Sequence, residues 1–464
     1  MEISKRSFFR EAMCVCFSFF CLQASLFSQD VKLTTQAEVD AFDPAITVID
    51  GDLFIGGGLN SSDITDISNL ESVTTINGSL RILSNNLLSS INSLSNISSI
   101  GLDLFIVGNI NLSDIDGLSN LTLLGGGIFL DGNDEITHID GLSNITTIGG
   151  RVDITNHEKL QNLDGLSQLT TIGELIYVLN NDALRNIDGL SNITWAKLLL
   201  ITGNPLLENI DGLSGIKKIG KVIINQSNDT INNGFLFIRW NNLLKDINGL
   251  SNLDTMIGLT IIESNEALEN IDGLSSLKSL SSIAIIENNQ LTNINGLSSV
   301  RNLNYALITA NNELTNLDGL SQVETISDTL KITDNPLLSD CCGIFQLLNT
   351  TDAVGDSIII HNNLMPCDSQ EEILALNCTT SIGEDRFSED LSIYPNPAND
   401  QLYIDNNNHR SLTYLIYNSL GQRQAVEYSG GTLDLSALSN GTYFLQIRDA
   451  DTEESVVKKI MVLR

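Results

Sequence analysis

Apolar residues recur along this chain with a nearly constant period. An Ile or Leu followed by Asp or Asn serves as the anchor of most units, and successive anchors are 24 residues apart in seven intervals, 23 in three and 37 in one. The anchors are Ile67, Ile91, Ile115, Ile139, Leu163, Ile187, Ile210, Ile247, Ile271, Ile294, Leu317 and Cys341. Further apolar residues stand three before, three after and six after every anchor. Such a repeat predicts stacked copies of one structural unit.

Each unit also has a short alternating segment upstream of its anchor, as in Leu80-x-Ile82, Leu104-x-Ile106 and Leu330-x-Ile332. Alternation over so few residues predicts one short β-strand per unit, with the middle side chain facing outward. Turn-forming Gly, Asn, Asp and Ser interrupt the apolar steps, which argues against helices. No unit buries its apolar residues alone. We therefore expect a mainly β protein, a right-handed β-solenoid in which each strand pairs with its copies in adjacent turns.

Two polar positions repeat with the same period. Asn stands six residues before the anchor in ten units: Asn85, Asn109, Asn133, Asn181, Asn204, Asn241, Asn265, Asn288, Asn311 and Asn335. We interpret these residues as a buried ladder that hydrogen-bonds the backbone, and the alternative is a row of amides that contacts a ligand.

The residue after the anchor is Asp in seven units, and Gly follows in ten, as in Asp116-Gly117. We interpret the pair as an Asx-type turn in which Gly adopts a positive φ. The alternative is a carboxylate ladder that binds Ca²⁺, because stacked carboxylates about 5 Å apart repel one another without a counter-ion. Neutral Asn at several steps favours the turn. We expect no cofactor and no metal site, with Ca²⁺ as the alternative.

The outward middle residues of the strands are rich in aromatic and aliphatic side chains, which is unusual for a solvated sheet face. This face either packs on another part of the chain or recognises a ligand. The candidate binding residues are Phe105, Phe129, Tyr177, Phe237 and Tyr305. The single long interval contains a polar insertion, 225–234, which we expect to protrude as a flexible loop and which is a second candidate contact.

The first residues indicate export. Lys5, Arg6 and Arg10 precede an apolar run at 12–22 that is too short to span a bilayer core of roughly 30 Å. Small residues follow it, so 1–28 is predicted to be a cleaved signal peptide. No later segment is long and apolar enough to predict a transmembrane segment in the mature chain. The net charge of −33 argues against nucleic-acid binding.

Four cysteines remain after the signal peptide, Cys341, Cys342, Cys367 and Cys378. In an exported chain this cluster predicts two disulfides near the end of the solenoid. All three pairings are open at this stage. A zinc site is the less favoured alternative, because paired C-x-x-C spacing is absent.

The repeats resemble the receptor L-domain and leucine-rich-repeat superfamily, over roughly 31–378. That resemblance implies binding or adhesion and specifies no ligand. The last residues, 391–464, alternate like a small antiparallel β-sandwich and resemble the C-terminal sorting domain of type IX secretion in Gram-negative bacteria. The matching residues are Tyr394, Pro395, Asn396, Pro397, Gly441, Tyr443, Lys458 and Lys459. The resemblance implies passage through the periplasm and contact with the type IX secretion machinery.

The expected organisation is a signal peptide (1–28), a capped solenoid (29–378), a linker (379–390) and the sorting domain (391–464). We expect a secreted or cell-surface protein that binds an unknown glycan or protein. One alternative is a self-associating structural component of the surface or matrix. A carbohydrate-active enzyme is the other, although no G-x-S-x-G, H-E-x-x-H or phosphate-binding Gly loop is present. We therefore expect no catalytic residues.

Overall fold

The computed structural model describes residues 29–57, 61–224, 230–376, 378, 391–406, 412–418, 423–429, 431–449 and 455–464. The chain divides into two compact units, Met1–Asn377 and Cys378–Arg464, which are described separately. The predicted signal peptide (1–28), the predicted linker (379–390) and residues 225–229 of the insertion lie outside the described residues.

The first unit is a β-solenoid built on one long parallel sheet, called the main sheet below. Its strands, in spatial order, are β1 (Val31–Leu33), β3 (Leu53–Gly56), β5 (Leu80–Leu83), β7 (Leu104–Val107), β9 (Ile128–Asp131), β10 (Val152–Thr155), β11 (Leu175–Leu179), β13 (Leu198–Thr202), β17 (Phe235–Arg239), β18 (Thr255–Glu263), β19 (Ser279–Ile286), β21 (Tyr305–Thr309), β23 (Thr329–Thr333) and β24 (Ser357–His361), and β12 (Trp195–Ala196) and β14 (Lys218–Ile219) join through β18. Residues one repeat apart pair directly, as Phe105 does with Phe129. The predicted mainly β solenoid is confirmed.

A turn of the solenoid is called a coil here, and most coils continue into a three-residue 3-10 helix and a short second strand. The 3-10 helices are Ser68–Leu70, Asn92–Leu94, Asp116–Leu118, Asp140–Leu142, Asp164–Leu166, Asp188–Leu190, Asp211–Leu213, Asn248–Leu250, Asp272–Leu274, Asn295–Leu297, Asp318–Leu320 and Cys342–Ile344. Smaller parallel sheets contain β2 (Val48–Ile49), β4 (Thr75–Ile76), β6 (Ser99–Ile100) and β8 (Leu123–Leu124), and β20 (Asn302–Leu303) with β22 (Thr325–Ile326).

The repeated apolar offsets form the core. In the coil anchored at Ile115, the anchor and the residues three before, three after and six after it (Leu112, Leu118 and Leu121) are all fully buried. The same offsets in the other coils belong to one continuous hydrophobic cluster. Burial in stacked ladders, rather than in separate globular cores, therefore accounts for the spacing of the sequence.

The ten repeated asparagines are fully buried and hydrogen-bond one another along the stack. Asn109 is representative: its Nδ2 donates to Ile82 O at 2.9 Å and to Asn133 Oδ1 at 3.1 Å. The Oδ1 of Asn133 also accepts from the backbone N–H of Asn109 at 3.1 Å. Each amide oxygen thus supplies an acceptor for a buried main-chain N–H of the preceding coil, and its Nδ2 adds a donor to a strand carbonyl. The structural interpretation of the Asn positions is correct.

His157 replaces Asn at one step of this ladder. Its Nδ1 lies 3.2 Å from Asn181 Oδ1, an acceptor, and its Nε2 lies 3.5 Å from Asn133 Nδ2, a donor. The ring therefore donates through Nδ1–H and accepts at Nε2. Complete burial lowers the pKa of His157 to about 4, although hydrogen bonds to Asn181 Oδ1 and to the backbone of Thr155 raise it, so the imidazole is neutral at pH 7.

The prediction that the Gly after the Asp adopts a positive φ was wrong. Gly117 and its equivalents are not in the positive-φ region. Each approaches the preceding coil so closely that a Cβ at Gly117 would overlap the carbonyl oxygen of Ile91. The Asx turn is made instead by the residue before the anchor, because Asn162 Oδ1 accepts from Asp164 N–H at 3.0 Å. Positive φ occurs elsewhere, directly before the buried Asn, as at Asn180 with a φ of 55°.

The insertion differs from the expected loop. Its ends form an antiparallel hairpin of β15 (Lys221–Ile224) and β16 (Thr230–Asn233). The solenoid continues across it, since Leu198 in β13 pairs directly with Phe235 in β17. The insertion is therefore accommodated outside the ladder, as expected, but its flanks are paired strands.

Both solenoid ends have a helical segment. At the first end, α1 (Gln36–Asp40) begins with a capping box formed by Thr35 and Glu38. At the other end lie α2 (Phe345–Asn349) and α3 (Gln370–Leu374). A disulfide joins Cys341, which occupies the last anchor position, to Cys367, with their Cα atoms 5.8 Å apart. Cys342 and Cys378 are disulfide-bonded as well. The predicted disulfides are confirmed.

The second unit contains two small antiparallel sheets. One is ordered β25 (Leu391–Tyr394), β26 (Gln401–Asn406), β30 (Thr432–Asp434) and β29 (Glu427–Ser429), and the other β28 (Arg423–Gln424), β27 (Leu412–Asn418), β31 (Gly441–Asp449) and β32 (Ser455–Val462). Side chains of both sheets, such as Leu402 and Leu445, share one hydrophobic cluster. The predicted small antiparallel domain is confirmed.

Candidate binding face

One surface of the main sheet carries the outward side chains of its strands. Along each strand these alternate with buried ones, and neighbouring coils place them in a straight line, called the central column here. The central column is Phe54, Arg81, Phe105, Phe129, Asp153, Tyr177, Leu200, Phe237, Ile261, Ala284, Leu307, Lys331 and Ile359. Residues two positions before or after each member form flanking columns on the same face.

Side chains of the central column and one flanking residue, Arg151, form a continuous stack of aromatic and guanidinium groups, called the aromatic stack here. The rings of Phe105 and Phe129 are stacked with their centroids 4.4 Å apart. Arg81 lies over the Phe105 ring at 4.2 Å, and Arg151 lies over Phe129 at 4.5 Å and Tyr177 at 5.5 Å. Strand spacing brings these groups together, because adjacent strands are about 4.8 Å apart. Cation–π contacts of this kind stabilise the stack electrostatically.

Each arginine of the aromatic stack is also paired with a carboxylate. Arg81 Nε lies 3.1 Å from Asp52 Oδ2, and Arg151 Nη2 lies 3.0 Å from Asp153 Oδ2. These ion pairs hold the guanidinium groups in place over the rings. The surface is therefore preorganised, with its polar groups positioned before any ligand arrives.

A second aromatic cluster lies beyond Leu200, which separates it from Tyr177. Phe235 and Phe237 meet edge to face with centroids 5.6 Å apart. Arg239 lies 4.4 Å from the Trp240 ring and 5.9 Å from the Phe237 ring, and it forms an ion pair with Glu263. The same combination of aromatic ring, arginine and acid therefore occurs twice on this face.

Two largely buried carboxylates lie beside the aromatic stack. Asp153 in β10 accepts a hydrogen bond from Thr155 Oγ1, and Asp131 in β9 accepts one from Asn156 Nδ2 at 2.7 Å. Burial raises the pKa of both side chains. The charge of Asp153 raises the pKa of Asp131 further. Raised carboxylate pKa values are frequent at functional sites, although ion-pair networks produce them too.

The five predicted binding residues all lie on this face, but the structure does not bring them into one site. Phe105, Phe129 and Tyr177 belong to the aromatic stack and Phe237 to the second cluster. Tyr305 is in a flanking column, in register with Ser282, and burial raises the pKa of its hydroxyl. Their role in binding stays a prediction.

Sequence reasoning missed Arg151, Phe235 and Arg239 because it followed only the middle residue of each strand. All three lie two positions from a central-column residue, and side chains two apart face the same side of a strand. Reading each strand at both outward positions would have found them.

The Asp residues after the anchors lie along another edge of the coils. Burial raises the pKa of Asp188, and the charges of Asp164 and Asp211 in adjacent coils raise it further. Within the described residues, no group of three or more His, Cys, Asp or Glu side chains is arranged to hold a metal ion. Ca²⁺ binding here stays the untested alternative to a turn.

In the second unit, the predicted sorting residues lie around β31 and β32. Gly441 opens β31, and Tyr443 is buried with its hydroxyl donating to Ser439 O at 2.9 Å. Lys458 and Lys459 are in β32, opposite Leu445 and Phe444. Tyr394, at the end of β25, stacks on Tyr403. The segment from Tyr394 to Pro397 then follows the edge of β32.

Residues 392–463 match the family described as "Secretion system C-terminal sorting domain". No curated protein matches the chain. The sorting domain shows that this is an exported protein, secreted or at the cell surface, and it links the chain to the type IX secretion machinery. The resemblance of the repeats to receptor L-domains stays a prediction. In the part of the chain that the structure describes, no helix has the length and apolar character needed to cross a membrane.

Proposed function

We propose that this exported protein binds a polypeptide ligand through the outer face of its main sheet, without catalysis and without a cofactor. The observation that carries the proposal is the pair of preorganised aromatic and arginine clusters on that face. Phe, Tyr, Trp and Arg are the residues that dominate binding energy at protein interfaces. The repeats' resemblance to L-domains points in the same direction.

The stacking geometry favours a polypeptide over a glycan. Arg81 and Phe129 come from coils on opposite sides of Phe105, so both faces of the Phe105 ring are occupied. Phe129 is similarly enclosed by Phe105 and Arg151. A sugar packs its C–H groups on an open, electron-rich ring face, whereas these rings offer only their edges. Ring edges, guanidinium groups and carboxylates suit the apolar and polar groups of a peptide surface.

The test compares two triple variants of the full chain on arrays of extracellular proteins and of glycans. The first variant removes three aromatic rings of the face through Phe105→Ser, Phe129→Ser and Phe237→Ser. The second removes exposed apolar side chains elsewhere through Leu102→Ser, Leu123→Ser and Leu243→Ser. We expect protein binding to be lost only in the first variant, with far-ultraviolet circular dichroism unchanged. Binding that survives in the first variant would show that the ligand does not bind through this face. Binding to glycans alone would refute the ligand class.

One observation favours carbohydrate cleavage as a second candidate function. Asp131 and Asp153 stand close enough to interact electrostatically, both with raised pKa values, beside aromatic rings. Glycosidases use two carboxylates of which one is protonated. Release of reducing ends from a polysaccharide panel, abolished by Asp153→Asn, would establish this activity, and no release would refute it.

A further inference from the structure

Among the described strands, none pairs with the outer edge of β32, which has only an isolated bridge between Ala398 and Val462. In the sheet ordered β28, β27, β31 and β32, the strand β32 pairs with β31 on one side only. An open strand edge is a template on which another chain can add a strand. What covers this edge therefore decides how the sorting domain presents β32 to a partner.

The segment after Tyr394 covers that edge, partly with a side chain. Asn396 Nδ2 donates to Lys459 O at 2.9 Å, and Asn396 Oδ1 accepts from Met461 N–H at 2.9 Å. Farther along, Ala398 N–H donates to Met461 O at 2.8 Å and Leu463 N–H donates to Ala398 O at 2.9 Å. The main-chain groups of Lys459, Met461 and Leu463 that point to this edge therefore have partners. The amide of Asn396 occupies the position that a peptide unit of a neighbouring strand would take.

The prolines on either side of Asn396 explain why its side chain, and not its backbone, forms these hydrogen bonds. Pro395 and Pro397 have no backbone N–H and do not pair as an ordinary strand. A carboxamide carries the same donor and acceptor as a peptide unit, so Asn396 supplies what its neighbours lack.

A second side-chain amide bonds the end of this strand on its opposite side, the side that faces β31. Arg464 N–H donates to Asn440 Oδ1 at 3.0 Å, and Asn440 Nδ2 lies 3.4 Å from the main-chain oxygen of Arg464. Arg464 also forms an ion pair with Asp400 at 2.8 Å. Residues 459–464 are therefore bonded on both sides by side-chain amides, by Asn396 on the free edge and by Asn440 on the side that faces β31.

We propose that Asn396 is a positioning residue for sorting: it closes the free edge of β32, and the secretion machinery takes up the sorting domain with this edge closed. Addition of a partner strand at this edge would first have to displace Asn396 and Ala398.

The test measures secretion of the full chain by its host and hydrogen exchange of 459–463 in the purified precursor. Asn396→Ala removes both bonds, and Asn396→Asp keeps the acceptor for Met461 N–H. Asn440→Ala removes the amide on the opposite side of the strand and should leave exchange of the Met461 amide unchanged. Asn399→Ala is the matched control, since Asn399 is exposed and makes no side-chain hydrogen bond within the described residues. We expect Asn396→Ala to exchange the Met461 amide about tenfold faster and to reduce secretion by a similar factor.

Asn396→Asp should keep the Met461 amide protected and retain more secretion than the Ala variant. Three results would overturn the proposal. Secretion lost with unchanged exchange would mean that the machinery contacts Asn396 directly. Faster exchange with normal secretion would mean that a closed edge is unnecessary. An Ala variant that is normal in both measurements would mean that Asn396 does not hold β32.

Discussion

Replacing His157 with Asn should make the solenoid more resistant to acid. In the folded chain burial lowers the pKa of His157 to about 4, whereas an unfolded His titrates near 6.5. Between these values the unfolded chain binds a proton that the folded chain excludes. Stability from this residue is therefore complete above pH 6.5 and falls as the pH drops towards 4. The full loss is about 3 kcal/mol, of which about 2.5 kcal/mol has accrued by pH 4.5.

The His157→Asn substitution would remove this titration and restore the ladder. In the neighbouring coils Asn133 Nδ2 donates to Ile106 O at 2.8 Å and Asn181 Nδ2 donates to Ile154 O at 3.1 Å. The introduced carboxamide would reach the carbonyl of Leu130 in the same way. We therefore expect the variant to be at least as stable as the parent at pH 7.5.

Urea unfolding of both proteins at pH 7.5 and pH 4.5 provides the measurement. Carboxylates and other groups titrate alike in the two proteins and cancel in the difference. The variant should gain about 2.5 kcal/mol relative to the parent on going to pH 4.5. His361→Asn is the matched control, because His361 is exposed on the last strand of the main sheet and should show no such gain. Equal losses in the parent and in His157→Asn would refute a neutral, buried imidazole.

Two further substitutions test the ladder and the coil spacing. Asn241→Ala leaves the buried Asn204 N–H without its acceptor, Asn241 Oδ1 at 3.2 Å, and removes a donor to Ile201 O, so urea unfolding should show a loss of about 2 kcal/mol. Asn242→Ala, one residue on and exposed, should be near neutral. Gly189→Ala places a Cβ onto the Leu163 carbonyl and should cost about 2 kcal/mol or more. Gly108→Asn should cost less than about 1 kcal/mol, because Asn156 and Asn180 occupy equivalent positive-φ positions; equal losses for the two Gly variants would contradict the steric argument.

The sequence predicted the solenoid well because buried ladders tolerate few residue types. Ile115 and its equivalents contact copies of themselves, so the period is visible in the letters alone. The prediction for Gly117 was wrong because a left-handed turn and a close approach of two coils select the same residue, and sequence cannot separate them. The hairpin was missed because Thr230–Asn233 lies in the polar segment that was predicted to be a flexible loop.

Contacts between different coils were less predictable than the coils themselves. The aromatic stack depends on Arg151 lying over a ring that is 22 positions earlier in the chain (151 − 129), which no local pattern indicates. In the sorting domain the Tyr394–Pro397 motif was recognised by resemblance, but its pairing with Met461 was not visible from either segment. Sequence periodicity thus indicates which residues stack, and only coordinates show which flanking side chains meet.

The inner and outer columns of the main sheet obey different constraints, and this difference bears on where specificity lies. Inner positions must be apolar and of nearly constant volume, because a change in one coil disturbs the coils on either side. Strand propensity alone would also enrich Phe, Tyr and Ile on the outer face. It would not align Asp52 with Arg81, or Arg239 with Glu263, across adjacent strands while placing both guanidinium groups over aromatic rings. That alignment is not required for burial, since these side chains are partly solvated and such ion pairs contribute little to stability. The residues of the outer face are therefore less constrained by packing than those of the inner face. For this reason variants of the outer face are the most informative test of the proposed function.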